Sequence, residues 1–282
     1  VILRAEAFAK TNLRLEVIGK RADGFHEIDT TFQTIDLCDF LEVSDAPGDV
    51  RVECSDPSIP SDSRNLVVRA AEALRKRYGV SRGSRIRLEK NIPAGGGLGG
   101  GSSDAAIALL LLSRLWELPA DVAALSAVGG TLGSDVPFFF VGGTARGRGR
   151  GEVVEPLPDA PARALVLVAP PFSISTAEVY ARWLPGEPPA AGGPVFGPNS
   201  LASAVLAMYP EMDRHRRVLS RSYPDCQISG SGSSLVAWEG DRDPRTAKAV
   251  AAELPGARVL RTRTVSRSEY EKRSTLELSR RR

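Results

Sequence analysis

Histidine, cysteine and charge of a single sign are what this sequence has least of. Two histidines, His26 and His215, and three cysteines, Cys38, Cys54 and Cys226, stand far apart along 282 residues. With no histidine cluster and no C-x-x-C pair, the usual zinc arrangements are excluded. Thiols scattered through apolar stretches are expected to be reduced and buried, which fits a cytoplasmic protein. No apolar run reaches the ~18–20 residues of a membrane span, and the first residues lack the charged-then-apolar layout of a secretory signal, so neither membrane nor export is expected. Lys and Arg number 37 against 34 Asp and Glu, a balance of +3. Basic residues spread this evenly do not make a nucleic-acid binder, although small anionic ligands remain open.

What is present is a chain with 42% hydrophobic and 25% charged residues, enough for one large core or two ordinary ones. We take two domains, 1–150 and 151–270, with the polar 271–282 as a solvated tail. Arg85–Glu89 alternates, Ile86 and Leu88 against Arg85, Arg87 and Glu89, as a half-buried strand does. Leu41–Val43 and Val50–Cys54 flank the turn-like Ala46–Asp49, a pattern that predicts a hairpin. Asn65–Tyr78 has helical spacing with Ser63 or Asn65 as cap, and Ser102–Trp116 keeps its apolar residues on one face until Pro119. Ala164–Ala169 is continuously apolar, a buried strand. Thr176–Leu184, Leu201–Tyr209, Met212–Leu219 and Pro244–Leu254 are expected as helices, and Cys226–Ile228, Leu235–Trp238 and Arg258–Arg261 as strands. Pro185–Pro198, rich in Pro, Gly and Ala, predicts a mobile surface loop. The mixture is α+β rather than regular βαβ alternation.

The most informative segment is Pro93–Ala106, PAGGGLGGGSSDAA, in which six glycines surround Leu98 and two serines lead into a helix. Glycine lets backbone N–H groups approach an anion closely, and the helix start adds orphan donors and the positive end of its dipole. Pro93, Ala94, Gly95, Gly96, Gly97, Leu98, Gly99, Gly100 and Gly101 are therefore candidates to hold phosphates. Ser102 and Ser103 can add hydroxyls to a phosphate oxygen or its magnesium ion. A flexible linker would not join a clean strand to a clean helix around an apolar plug. Gly95, Gly97 and Gly100 match G-x-G-x-x-G, but the acidic residue of a dinucleotide site would fall near Glu117–Asp121, at a helix exit with Pro119. The ordinary P-loop pattern is absent. The basic run Ala145–Glu152 is too short, and too poor in aromatics, for an RNA-binding arginine-glycine segment.

This loop resembles the second motif of the galactokinase, homoserine kinase, mevalonate kinase and phosphomevalonate kinase (GHMP) superfamily. Its flanking glycines and following S-S-D-A-A are similar to the 4-diphosphocytidyl-2-C-methyl-D-erythritol kinase family. Ala9-Lys10-Thr11-Asn12-Leu13 resembles that family's A-K-[IVL]-N-L, and Arg21–His26 its R-x-D-G-[YF]-H. Ser63–Ala70 resembles its D-N-L-[IV]-x-[KR]-A helix, and Leu132–Phe139 its L-G-[AS]-D-V-P-[FV]-F. Ile228–Ser234 is similar to its glycine-serine loop between strand and helix, with a plain hairpin turn as the alternative. An aspartate before an apolar run is otherwise a turn residue or cap.

The resemblance, running from Ala9 to about Ser268, implies a two-domain fold. The N-terminal domain would be ribosomal protein S5 domain 2-like and the C-terminal one ferredoxin-like, with the last strand returning to the first domain. It implies Lys10 and Asp135 as the catalytic pair, with Asp135 the base. Asn65 and Lys90 would join the glycine loop in binding ATP, with Asn65 equally able to cap its helix. Asn12, Phe25, His26, Asp135, Thr176, Tyr180, Gly230, Ser231 and Gly232 would face the substrate, His26 meeting a cytosine edge beside the Phe25 ring. The implied reaction is ATP-dependent phosphorylation of the 2-hydroxyl of 4-diphosphocytidyl-2-C-methyl-D-erythritol in the non-mevalonate isoprenoid precursor pathway. Mg2+ would be held mainly by the phosphates, and the chain would be a monomer or weak homodimer. A sibling kinase acting on mevalonate, homoserine or a sugar would have no need of Gly24-Phe25-His26, and a non-catalytic nucleotide binder no need of Lys10 with Asp135.

Overall fold

The structure, a computed structural model, describes residues 1–186, 196–243 and 245–274. Residues 187–195, most of the segment expected to be a mobile loop, and 275–282 lie outside the described residues, as does Pro244 of one expected helix. Two long strands, β1 (Ile2–Lys20) and β2 (His26–Ala46), pair antiparallel along their length. β3 (Val50–Cys54) leads to α1 (Leu66–Tyr78), β4 (Gly83–Glu89), α2 (Gly100–Leu115) and α3 (Val122–Leu132). A 3-10 turn at Val136–Phe140 precedes β5 (Thr144–Arg148) and β6 (Val153–Pro156). The second half holds β7 (Ala164–Ala169), α4 (Thr176–Arg182), α5 (Ala202–Met208), α6 (Pro210–Ser222), β8 (Cys226–Ile228), β9 (Leu235–Trp238), α7 (Arg245–Glu253), β10 (Arg258–Arg263) and α8 (Arg267–Ser274).

The first sheet runs β3-β4-β2-β5-β6, with β1 on β2. The expected hairpin of Leu41–Val43 with Val50–Cys54 does not form. β4 inserts between those segments, antiparallel to β2 and parallel to β3. The turn-like residues instead cross over Gly83, where a Cβ would lie 2.6 Å from the carbonyl oxygens of Gly48 and Asp49. β6 still belongs to this first sheet, beyond the division expected at 150. α3, a helix not expected from the sequence, starts on Asp121, whose carboxylate accepts from Ala124 N at 2.7 Å. Its Gly129 breaks the helical signal because Val136 packs where a side chain would stand.

The second sheet, β10-β7-β9-β8, has the strand order of a β-α-β-β-α-β ferredoxin-like unit. β7 is apolar at consecutive positions because both its faces are covered. Val166 and Val168 meet the helices of the second half, while Leu165 and Leu167 join Ala9, Ile35, Ile92, Leu98, Val236 and Trp238 in a core between the halves. The β1–β2 ribbon spans everything: Leu3, Ala5 and Ala7 lie in the first core, Ala9 at the junction, Leu15 and Val17 in the second. The chain's return to the first half is made by a bridge, Thr264 to Ile35, and by a helix, α8. Glu271–Ser274 of the expected tail are the last turn of that helix, because Arg273 binds Glu6 at 2.8 Å and Asp36 at 2.7 Å. The three thiols are free and partly buried, and burial pushes Cys38 up to about 12 and Cys226 to about 11.

Candidate active site

Register shifts at Phe8/Ala9 and Asn12/Arg14 bracket Lys10 and Asn12 on β1. Such bulges re-aim side chains, and the two-residue spacing puts both on one face of the strand. The Lys10 ammonium, almost wholly buried, donates to Asn12 Oδ1 at 2.8 Å and lies 3.2 Å from Asp135 Oδ2. Asn12 is held in turn, its Nδ2 donating to Thr30 Oγ1 at 2.7 Å while that hydroxyl donates to the Arg14 carbonyl at 2.6 Å. Because the Thr30 proton is committed, its oxygen accepts from Asn12, and Asn12 Oδ1 is left to face the ammonium. Asp135 stands at the N-cap position of the 3-10 turn yet caps nothing. Its carboxylate is a third exposed and lines the cleft.

The glycine loop rises beside this pair. Gly95, Gly97 and Gly99 all have positive φ, the alternation that turns amides inward into an anion-binding nest. At Gly97 a side chain would overlap the Ser229 carbonyl oxygen; at Gly99 it would meet Phe139 at 2.9 Å and the Lys10 stem at 3.0 Å. Leu98 is buried in the junction core, an anchor contributing about 2 kcal/mol. Its carbonyl accepts from Lys10 N at 2.9 Å, so loop and lysine are tied together. α2 begins two residues earlier than expected, with Gly99 as a cap that offers no side chain. Its first donors therefore stay open to an anion. Ser102 lines the cleft, whereas Ser103 is fully buried and its hydroxyl has no partner. The expected phosphate contact of Ser103 through that hydroxyl is corrected accordingly, because helical geometry turns it into the core.

Ile228–Ser234 joins two paired strands, β8 and β9, rather than a strand and a helix. It nevertheless packs on the glycine loop, Ser234 N donating to Gly96 O at 3.0 Å and Ser229 Oγ to Gly97 O at 3.2 Å. Gly230 and Ser231 line the cleft. Gly232 does not: its amide donates to Ser229 O at 2.9 Å and its Cα faces Ile174 and Ile228, so the expected substrate contact is withdrawn. Thr176 reaches this loop through its hydroxyl, 2.8 Å from Ser231 Oγ.

At the far end of the cleft the His26 ring lies 5.2 Å from that of Tyr180 and 5.6 Å, edge-on, from that of Trp183. Burial, then the Lys20 charge, lower the His26 pKa below its ordinary 6.5. The half-buried Tyr180 hydroxyl is pushed up by burial and by the charge of Asp135. The rings packed on His26 are thus Tyr180 and Trp183; Phe25 lines the same cleft, but Arg150 covers it at 4.8 Å. Trp183, and the cleft-lining cations Lys20, Arg64 and Arg150, were not singled out from the sequence. Spacing from Tyr180 was the available signal for Trp183, and adjacency to Arg21–His26 the signal for Lys20.

Two expected nucleotide contacts, Asn65 and Lys90, line the cleft and also hold bonds within the protein. Asn65 caps α1, its Oδ1 accepting from Val67 N at 2.9 Å while its Nδ2 donates to Pro60 O at 2.8 Å. The Lys90 ammonium lines the cleft beside the glycine loop and is bonded to Asp39 and, at 2.7 Å, to Asp104. The cleft lined by Lys10, Asp135, the glycine loop, His26 and Tyr180 has a volume of about 860 Å3.

A model of the GHMP kinases N terminal domain matches residues 65–143. A 4-diphosphocytidyl-2-C-methyl-D-erythritol kinase of Pelotomaculum thermopropionicum is 39% identical over 282 residues, covering 94% of this chain and 98% of its own. A crystal structure of 4-(cytidine 5'-diphospho)-2C-methyl-D-erythritol kinase matches with a TM-score of 0.77 at 33% identity, covering 93% of this chain and 98% of the other. A homoserine kinase from Cytophaga hutchinsonii, 18% identical, matches with a TM-score of 0.69 over 95% of this chain and 96% of its own, a likeness of fold alone. The α+β fold is that of these two-domain kinases.

Proposed function

The chain belongs to the 4-diphosphocytidyl-2-C-methyl-D-erythritol kinase family, and on that premise we propose that it phosphorylates the 2-hydroxyl of 4-diphosphocytidyl-2-C-methyl-D-erythritol with ATP, yielding the 2-phosphate for isoprenoid precursor synthesis. The observation that carries the reading is the approach of Lys10 Nζ to Asp135 Oδ2, 3.2 Å, in the cleft edged by the glycine loop. Phosphoryl transfer is mostly positioning and charge stabilisation, so a protein supplies an anion cradle, a cation and a proton acceptor.

The amides of Gly95–Gly101 and the open start of α2 hold the phosphates. Asp135 accepts the hydroxyl proton as the oxygen attacks. Lys10, kept on line by Asn12, keeps that carboxylate paired and stabilises charge passing to the transferred group. The phosphates and the Ser102 hydroxyl would hold a magnesium ion, which would supply neutralisation of the phosphate charge. The His26, Tyr180 and Trp183 cluster suits a flat heteroaromatic base better than the compact acceptors of the sibling kinases. No helix among the described residues is long and apolar enough to cross a membrane, and we place the enzyme in the cytoplasm as a monomer or weak homodimer. The test is ADP release with this substrate against mevalonate, homoserine and galactose, with the product read by phosphorus NMR. Turnover confined to the cytidyl substrate, with a new resonance on its 2-oxygen, is expected; faster turnover of a sibling substrate would overturn the assignment.

A further inference from the structure

The second half of the chain meets the Lys10–Asn12 pair through a turn whose backbone is held by one buried side chain. Residues 197–200 run beside β1: Gly197 N donates to Leu13 O, Leu15 N to Pro198 O and Ser200 N to Leu15 O, each at 2.9 Å, and Asn199 bridges Leu15 in parallel. Asn199 is 3% exposed and does not line the cleft. Its Nδ2 donates to the Ile228 and Gly230 carbonyls, 2.9 Å each, and its Oδ1 accepts from Leu201 N at 2.9 Å in the turn that enters α5. An amide that commits both N–H groups to carbonyls two residues apart fixes the bend between them. That bend is close to the chemistry. Gly230 has φ +58°, and a Cβ on it would lie 3.1 Å from Asn12 Oδ1 and 3.5 Å from Lys10 Nζ. The Gly230 backbone is therefore the wall behind the ammonium. One residue on, Ser231 lines the cleft with its hydroxyl on Thr176. Before the turn, Gln227 Nε2 donates to Asn12 O at 2.5 Å, so β8 is aligned on the same residue.

We propose that Asn199 is a positioning residue for phosphoryl transfer: by holding the Ile228 and Gly230 carbonyls it seats the Gly230–Ser231 turn against Lys10 and Asn12, and so keeps the ammonium directed at Asp135, while itself touching neither substrate nor nucleotide. The proposal rests on the kinase reading of the site. Transfer depends on alignment, and a misplacement of about 1 Å can cost ~10²-fold in rate. Without the two N–H groups, two buried carbonyls lose their donor, and the turn must shift to find another. The glycine loop is held separately, by Leu98 in the junction core, by Lys10 N on Leu98 O and by Ser234 N on Gly96 O, so nucleotide binding is expected to survive the change.

Positioning separates from a role in starting α5 by keeping one bond of Asn199 and removing the others. Asn199→Ser retains an oxygen able to accept from Leu201 N but is too short to reach both carbonyls, whereas Asn199→Ala retains neither function. Both are expected to lose kcat alike, roughly 10- to 100-fold, while Kd for a non-hydrolysable ATP analogue, taken by calorimetry without acceptor, stays within about threefold of the parent. The melting temperature should fall further for Ala than for Ser. A side chain that merely starts the helix would leave the Ser variant near parental in kcat and impair only Ala. Asn199→Asp, nearly identical in shape, covers the case in which the shortened side chains do not fold. It keeps the Leu201 bond, replaces two donors by at most one, and should lose kcat about five- to tenfold, the worth of one neutral hydrogen bond. Each kcat is taken as a ratio to the parent on the acceptor that the parent turns over fastest, so an error in the acceptor assignment does not touch the result. Parental kcat in the Ser or Asp variant, or ATP-analogue binding lost in step with kcat, would overturn the proposal.

Discussion

Asn12 decides where the Lys10 ammonium points, and Thr30 decides how Asn12 is turned. A chemical role is thereby spread over three side chains, of which the motif spacing identified the two on β1. Lys10 and Asn12 were legible through the resemblance of Ala9–Leu13 to a family motif, since a lysine near a strand on its own reads as a solvated surface charge. Which of two adjacent serines faces the cleft depends on residues far away in sequence; Ser103 was misread for that reason. His26 carries the prediction at this scale. Its pKa is lowered, so the ring is neutral at pH 7 and offers both an acceptor and a donor to a base edge. Protonation, and loss of the acceptor, begins only as pH falls through the range beneath 6.5. The KM for the cytidyl substrate should be flat from pH 8 to 7 and rise as pH is lowered further. His26→Gln should raise KM by roughly tenfold at pH 7.5, the cost of about one poorly replaced hydrogen bond, and lose that acid rise. Steady-state kinetics across pH checks both.

Among the elements, the glycine loop was read almost whole from its residues, because glycine around an apolar plug between strand and helix has few other uses. Leu98 does anchor it, and the positive φ angles of Gly95, Gly97 and Gly99 supply its curvature. The Ile228–Ser234 loop is the hairpin turn that stood as the alternative to a strand-to-helix loop, the two looking alike in sequence. The expected β2–β3 hairpin failed: a short turn shows that the chain reverses, not that no third strand enters between. Gly97→Ala tests the loop. A Cβ there meets the Ser229 carbonyl oxygen and forces a left-handed conformation, a strain of about 1–3 kcal/mol before any overlap. Calorimetry should show ATP-analogue binding weakened at least tenfold, with a lower melting temperature.

At the scale of the whole molecule, the β1–β2 ribbon runs through both cores and suspends Lys10 and Asn12 at their junction, while Asp135 arrives from the first half and Tyr180 from the second. Nothing local marks a strand as crossing from one core to another, and only the unbroken apolar run of β7 hinted that a sheet would be covered on both sides. α8, hidden in an otherwise polar stretch, closes the assembly: the Tyr270 hydroxyl donates to the Phe139 carbonyl, and its ring packs on Phe8 at 5.6 Å. Tyr270→Phe leaves that carbonyl unpaired and should destabilise by about 1–3 kcal/mol, seen as a fall in Tm of roughly 2–4 °C per kcal/mol. Transfer in this cleft requires Asp135 to take the proton of the substrate hydroxyl beside Lys10. The most direct measurement is kcat of Asp135→Ala at saturating ATP and 4-diphosphocytidyl-2-C-methyl-D-erythritol. A loss of ~10²- to 10⁴-fold with a folded protein is predicted; turnover close to that of the parent enzyme would contradict it.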